Sequence, residues 1–181
     1  MTGDRIWLFD TTLRDGGQTR GIDFTVADKQ FIAQTLADFG LDYIEGGWPG
    51  ANPTDDQFFG KKQDLGTAQL VAFGMTRRSG RSAENDPGLS AILNAHSDSS
   101  CLVGKSWDFH VTKALNISLE ENLAMISESV AAAKACKQES MFDCEHYFDG
   151  YKANAEYALK CVGAALEGGA DWVILCDTNG G

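Results

Sequence analysis

No C-x-x-C pair occurs in this sequence, and its five cysteines, Cys101, Cys136, Cys144, Cys161 and Cys176, form an odd set, most of them among apolar neighbours. That pattern disfavours a disulfide framework, and the thiols read as reduced core residues. Proline is sparse at three residues, and no Pro/Ser-rich linker, charge block or low-complexity tract separates two domains. Basic residues are outnumbered, 15 Lys+Arg against 26 Asp+Glu, and the net charge of −11 excludes nucleic acid as a general partner. No uninterrupted apolar run approaches the ~20 residues that cross a bilayer, and no apolar targeting core follows basic residues at the start. The expectation is a cytoplasmic chain with no membrane partner. Neither G-x-G-x-x-G nor G-x-x-x-x-G-K-[ST] follows the first apolar run, which counts against nucleotide binding.

What is present fits a globular domain. The chain has 181 residues, 43% hydrophobic and 10% aromatic, enough for one substantial core and too apolar for disorder. An apolar run, Ile6 to Phe9, ends abruptly in Asp10-Thr11-Thr12-Leu13-Arg14-Asp15-Gly16-Gly17-Gln18. Ile6, Leu8 and Phe9 are expected to be buried as a strand, with Arg14 and Asp15 at its carboxyl end, where enzymes built on parallel strands keep their chemistry. A carboxylate beside a guanidinium suits metal-assisted chemistry on an oxo-acid. An anionic substrate needs a local basic patch, for which Arg14, Arg20, Lys61, Lys62, Arg77, Arg78, Arg81 and Lys105 are candidates.

Short β-rich runs alternate with helical patterns along the whole length. Strands are expected at Ile6 to Phe9, Tyr43 to Glu45, Leu70 to Phe73, Cys101 to Val103, Met141 to Cys144 and Trp172 to Cys176, each mostly apolar as strands covered on both faces should be. Thr25 and Asp28 resemble a capping box for a helix with Ile32, Leu36 and Phe39 on one face and Gly40 at its end. Ser118 and Glu121 open another, with Leu119, Leu123, Ile126, Val130 and Ala133 at three-four spacing. Lys152 to Leu166, with Leu159, Val162 and Leu166, forms a third, stopped by Gly168-Gly169. Six strands with intervening helices give an α/β fold, either an open doubly wound sheet or most of a TIM (βα)8 barrel. Polar clusters after nearly every strand suit the barrel.

Five of those clusters carry a resemblance. Asp10 to Gly16 reads D-T-T-L-R-D-G, the opening signature of the isopropylmalate synthase, homocitrate synthase and hydroxymethylglutaryl-CoA lyase superfamily. Tyr43 to Asp55 resembles the second-strand motif of its citramalate synthase branch. Lys105 to Val111, Glu145 to Lys152 and Leu175 to Gly181 extend the likeness in order, over essentially the whole chain. Gly17 also fits that branch, which tends to a small residue where many superfamily members carry an acid.

The resemblance implies a TIM (βα)8 barrel, of which residues 1–181 supply the N-terminal part and about six of the eight units. It implies condensation of acetyl-CoA with pyruvate to citramalate, for branched-chain amino-acid biosynthesis, with a divalent metal as cofactor. A homodimer is implied for the full-length protein. Asp15 would ligate magnesium, manganese or zinc, and Arg14 would stabilise the alkoxide formed on attack. Glu145 matches the acidic position near the acetyl methyl group, as base or as the group that orients one. Gln18, Glu45 and Thr178 match substrate-binding positions, Thr178 on the oxo-acid carboxylate and Glu45 helping to position Arg14. From local sequence alone, Asp15 as a turn cap, Arg14 in a surface ion pair, Glu145 as a solvated loop acid and Thr178 as a turn hydroxyl stay open. His110 and His146 read as isolated loop or core hydrogen-bonders outside the metal site.

One departure stands out. The family completes its metal site with an H-x-H pair on the seventh strand, and the histidines here, His96, His110 and His146, have no such spacing. The expectation is an N-terminal piece with little synthase activity of its own. Isopropylmalate or homocitrate synthesis from another oxo-acid is the alternative within the family. Outside it stand a Schiff-base aldolase using Lys105 and a non-catalytic truncated barrel that binds or assembles.

Overall fold

The computed structural model describes residues 5–180. Six strands alternate with helices: β1 (Phe9–Asp10), α1 (Val26–Phe39), β2 (Tyr43–Gly47), α2 (Pro53–Phe58), β3 (Gln69–Met75), α3 (Pro87–Asn94), β4 (Ser99–Lys105), α4 (Asp108–His110), α5 (Leu119–Lys134), β5 (Glu139–Glu145), α6 (Tyr147–Ala153), α7 (Ala155–Glu167) and β6 (Trp172–Leu175). Hydrogen-bonded strand order follows the chain, β1-β2-β3-β4-β5-β6. The pairs β1/β2, β2/β3 and β5/β6 are parallel. Among the described residues no helix is long and apolar enough to cross a membrane. The chain divides into two compact units, one running to Phe73 and including Ala95–Ser99, the other comprising Gly74–Asn94 and Ser100 onward.

In the first unit, Ile44, Phe58, Leu70 and Val71 are fully buried and form the core. β1 differs from its expected form. Its ladder holds only Phe9 and Asp10, paired with Tyr43 and Ile44, and Ile6 is 81% exposed, with Trp7 and Leu8 also exposed. Among the described residues β1 stands at one end of the strand order and pairs with β2. Leu8 is tied on by its backbone alone, its carbonyl accepting from Asp42 and Tyr43 N–H at 3.1 and 3.0 Å.

α1 begins at the expected box. Asp28 N–H donates to Thr25 Oγ1 at 3.2 Å, Thr25 N–H donates to the Asp28 carboxylate at 2.9 Å, and Gly40 closes the helix in the left-handed region. Its inner face is not the expected one, for Lys29 and Ala33 are its buried residues while Phe39 is 82% exposed. β2 carries a register shift between Glu45 and Gly47. A Cβ on Gly46 would stand 2.7 Å from the Phe58 ring, so only glycine lets α2 lie this close to the strand.

In the second unit, Leu102, Ile126, Met141 and Phe142 are fully buried. Ser118 Oγ accepts from Glu121 N–H at 3.1 Å and starts α5, which turns Asn122, Met125, Ile126, Ser129, Val130 and Ala133 inward. The stretch expected as one helix from Lys152 is two. Asn154 leaves helical geometry (φ −151°, ψ 81°), and its Oδ1 accepts from Tyr157 N–H at 3.2 Å, capping α7. Leu159 and Leu166 are exposed, and α7 buries Tyr157, Ala158, Cys161, Ala164 and Ala165 instead. Small residues face inward there because α5 and α6 pack against that side.

Candidate functional site

Within the first unit, the turn after β1 folds on one acceptor: the Thr11 carbonyl takes the N–H groups of Arg14, Asp15 and Gly16 at 3.2, 2.8 and 3.1 Å. Leu13 is buried and pins the turn, which sends Arg14 toward β2. Arg14 Nε–H donates to Glu45 Oε2 at 2.7 Å and Nη1–H to Asp15 Oδ1 at 3.1 Å, and the guanidinium lies 4.0 Å from the centre of the Phe73 ring. Glu45 is 1% exposed and Asp15, on the side-chain measure, 63%. The fork is therefore fixed at its inner edge and open at its outer one. A cavity of about 210 Å³ adjoins it, lined by Arg14, Gln18, Phe24, Trp48, Asn52 and Thr54 among others.

A buried ion pair braces the same loops. Lys29 Nζ donates to the carbonyls of Leu13 (3.0 Å) and Gly46 (2.8 Å) and to the Asp55 carboxylate, which also accepts from Trp48 N–H and Asn52 Nδ2–H, both at 2.9 Å. Leu13 precedes Arg14 and Gly46 follows Glu45, so this pair holds both partners of the guanidinium clamp in register.

Within the second unit, Glu145 ends β5 and Lys105 ends β4, and Lys105 Nζ donates to the Glu145 carboxylate. The Glu145 carbonyl accepts from Ser106 Oγ–H at 2.7 Å. Glu145 is thus held in an ion pair, and Lys105 is a donor to a carboxylate, not the free amine in apolar surroundings that a Schiff base needs. Thr178 Oγ1 accepts from His146 N–H at 3.0 Å. His146 stands in the left-handed region (φ 54°), uncommon for a residue with a side chain. Its Nδ1 is 3.1 Å from Asp149 Oδ2, which also accepts from Asn179 Nδ2–H at 2.8 Å. The His110 ring meets it edge-on at 4.7 Å, and Trp107 lies against both. Burial first, then the neighbouring His146 and Lys105, hold His110 below its ordinary pKa. The two histidines expected to be isolated therefore form one cluster.

Residues 5–181 match the model of the HMGL-like family. The chain belongs to that family. This HMGL-like chain is 53% identical over 180 residues to the (R)-citramalate synthase of Aquifex aeolicus (strain VF5), covering 98% of this chain and 34% of that protein. It is 54% identical over 181 residues to the (R)-citramalate synthase of Streptomyces coelicolor, again 98% and 34%. The 2-isopropylmalate synthase of Sulfurisphaera tokodaii is more distant, 34% identical over 99% of this chain and 44% of that protein. The chain spans about a third of the length of the citramalate synthases it matches. Among solved structures, the HMG-CoA lyase of Bacillus subtilis superposes with a TM-score of 0.71 at 18% identity, covering 97% of this chain and 59% of that one. The fold is accordingly α/β of the TIM-barrel type, with about six of the eight units present.

Two further readings of the HMGL-like sequence need correction. Arg77 is no part of a surface patch: it is 4% exposed and donates to Glu128 at 2.6 Å and Glu121 at 2.8 Å. Cys136 is exposed, whereas Cys101, Cys144 and Cys161 are buried, the Cys161 thiol pushed up to about 12 by burial. Lys29, Asp55 and Asp149 were not singled out. The available signals were Lys29 four residues before Ala33 on the inward side of α1, the Asn-Pro-Thr-Asp start of α2, and Asp149 three residues after His146.

Proposed function

We propose that this chain is the N-terminal catalytic part of a longer acyltransferase that condenses acetyl-CoA with pyruvate to give citramalate and CoA. One observation carries the reading: the Arg14 guanidinium is clamped between buried Glu45 and exposed Asp15, with N–H donors left over on its outer edge. The identities near 50% to (R)-citramalate synthases support pyruvate as the acceptor.

Asp15 offers hard carboxylate oxygens, one engaged by Arg14, on a side chain that is 63% exposed, a donor that fits magnesium, manganese or zinc as one ligand among several. A divalent ion bound there supplies Lewis-acid polarisation of the oxo-acid ketone. Arg14 then stabilises the oxyanion that develops on the ketone oxygen, in a geometry prepared before the substrate arrives. Glu45 holds Arg14 from behind, Gln18 adds an amide at the cavity wall, and Thr178 contributes a hydroxyl in the second unit. Glu145, paired with Lys105 at the end of β5, serves the acetyl donor, as its base or as the group that orients one.

The test is release of free CoA thiol by the complete protein that carries this chain. Release is expected only with pyruvate and a divalent metal together, and Asp15→Ala is expected to lower it by about 10²-fold or more. Thiol release undiminished by chelator or by that substitution removes the metal mechanism. Faster turnover with a larger oxo-acid moves the reading to isopropylmalate or homocitrate synthesis.

A further inference from the structure

Resting on the acyl-transfer reading above, we infer that Lys29, paired with Asp55, is a positioning residue for the Arg14 clamp: it fixes where the guanidinium stands, although it has no donor left for the substrate. The need for such a tie comes from the sheet. β1 ends at Asp10, so Leu13 lies beyond its ladder and no strand pairing fixes the turn that carries Arg14. On β2, Glu45 pairs with Val71 and Gly47 with Ala72, which makes Gly46 the extra residue of a bulge. A bulge re-aims the side chain beside it, here Glu45, and interrupts the regular pairing. Arg14 and Glu45 are thus each attached to the one place, Leu13 or Gly46, that sheet register does not hold.

Lys29 joins these two places. Its Nζ donates to the Leu13 carbonyl at 3.0 Å, to the Gly46 carbonyl at 2.8 Å and to the Asp55 carboxylate. A lysine ammonium has three N–H donors and no acceptor, so every donor is engaged and none remains for a substrate oxygen. Lys29 lines the cavity beside Arg14, and its part there is geometric.

The carboxylate end is held as firmly. Asp55 accepts from Trp48 N–H and Asn52 Nδ2–H, both at 2.9 Å, and a Cβ on Gly47 would stand 2.5 Å from its Oδ1. The chain leaving β2 is therefore packed directly on Asp55, which leaves the ammonium little room to shift. Oxyanion stabilisation depends on such placement, since misplacing a reacting group by about 1 Å costs about 10²-fold in rate. Without Lys29, the Leu13 and Gly46 carbonyls lose their common donor, and the guanidinium and its buried partner are no longer referred to one point.

The test is a double-mutant cycle in the complete protein, with Lys29→Met and Arg14→Lys made singly and together. The readout is kcat/KM for pyruvate in CoA release, normalised to the folded fraction from circular dichroism. Lys29→Met is expected to lower it about tenfold or more alone, and less than about threefold when Arg14→Lys is already present, because the group it positions is gone. A Lys29 that serves stability alone lowers both backgrounds by the same factor. Lys29→Met/Asp55→Asn removes both charges, leaves no lone buried carboxylate, and is expected to show the same non-additivity with Arg14→Lys. Equal factors in the two backgrounds, or a loss by Lys29→Met within about threefold of the parent, overturn the inference and leave the acyl-transfer reading standing. Failure of both Lys29 variants to fold assigns the pair to folding alone and overturns it too. No CoA release by the unsubstituted protein given pyruvate overturns the acyl-transfer reading, and this inference with it.

Discussion

A single guanidinium does two jobs at the residue scale. Arg14 offsets the charge of Glu45, which at 1% exposure would be costly unpaired, and Glu45 in turn removes the side-chain freedom of Arg14. Arg14, Asp15 and Glu45 were legible in the sequence because their motifs are contiguous and end apolar strands. The His146–Asp149 pair was not, since a histidine with an acid three residues on reads locally as a solvated turn, and only the meeting of the β4, β5 and β6 loops gathers Trp107, His110 and Asn179 around it. His110 yields a pH prediction. Its folded pKa lies below the ordinary value of 6.5, so as acid is added the unfolded chain takes its proton first. The stability contributed by neutral His110 is whole above about pH 6.5 and declines as pH falls through the lower folded value. Chemical unfolding at about pH 7 and about pH 5.5 is expected to show that loss, and His110→Gln to shrink it; equal losses in the two proteins contradict the assignment.

Among the elements, the ends of helices were easier to read than their faces. Thr25 with Asp28, Ser118 with Glu121 and Gly40 mark ends by local hydrogen bonds that the sequence encodes within four residues. Faces depend on the neighbour: Phe39, Leu159 and Leu166 lie outward, and Asn154 breaks a helix because its amide also donates to Asp108 at 2.8 Å. The Lys29–Asp55 pair joins α1 to α2 and to the loops after β1 and β2, which a lysine in a helical run does not announce. Lys29→Met leaves the Asp55 carboxylate buried without its cation and is expected to cost about 3–5 kcal/mol in denaturant unfolding. A loss under about 1 kcal/mol shows that the pair is not the brace described.

For the whole molecule, strand order, helix alternation and placement of polar clusters at strand ends follow the TIM-barrel plan, and the family match spans residues 5–181. Six strands were legible because buried parallel strands are short apolar runs, whereas the exposure of Ile6, Trp172 and Leu175, on or beside the first and last of the described strands, was not. The central claim is that the Arg14 clamp binds a 2-oxo acid whose ketone carbon is attacked. Carbon-13 NMR of the complete protein given [2-¹³C]pyruvate, acetyl-CoA and magnesium or manganese tests it most directly. The account predicts that the labelled ketone signal is replaced by that of a carbon bearing hydroxyl, methyl and carboxylate groups, and that Arg14→Lys slows the change about 10²-fold, because a point charge cannot replace the fork. An unchanged ketone signal, or equal conversion by the lysine variant, contradicts it.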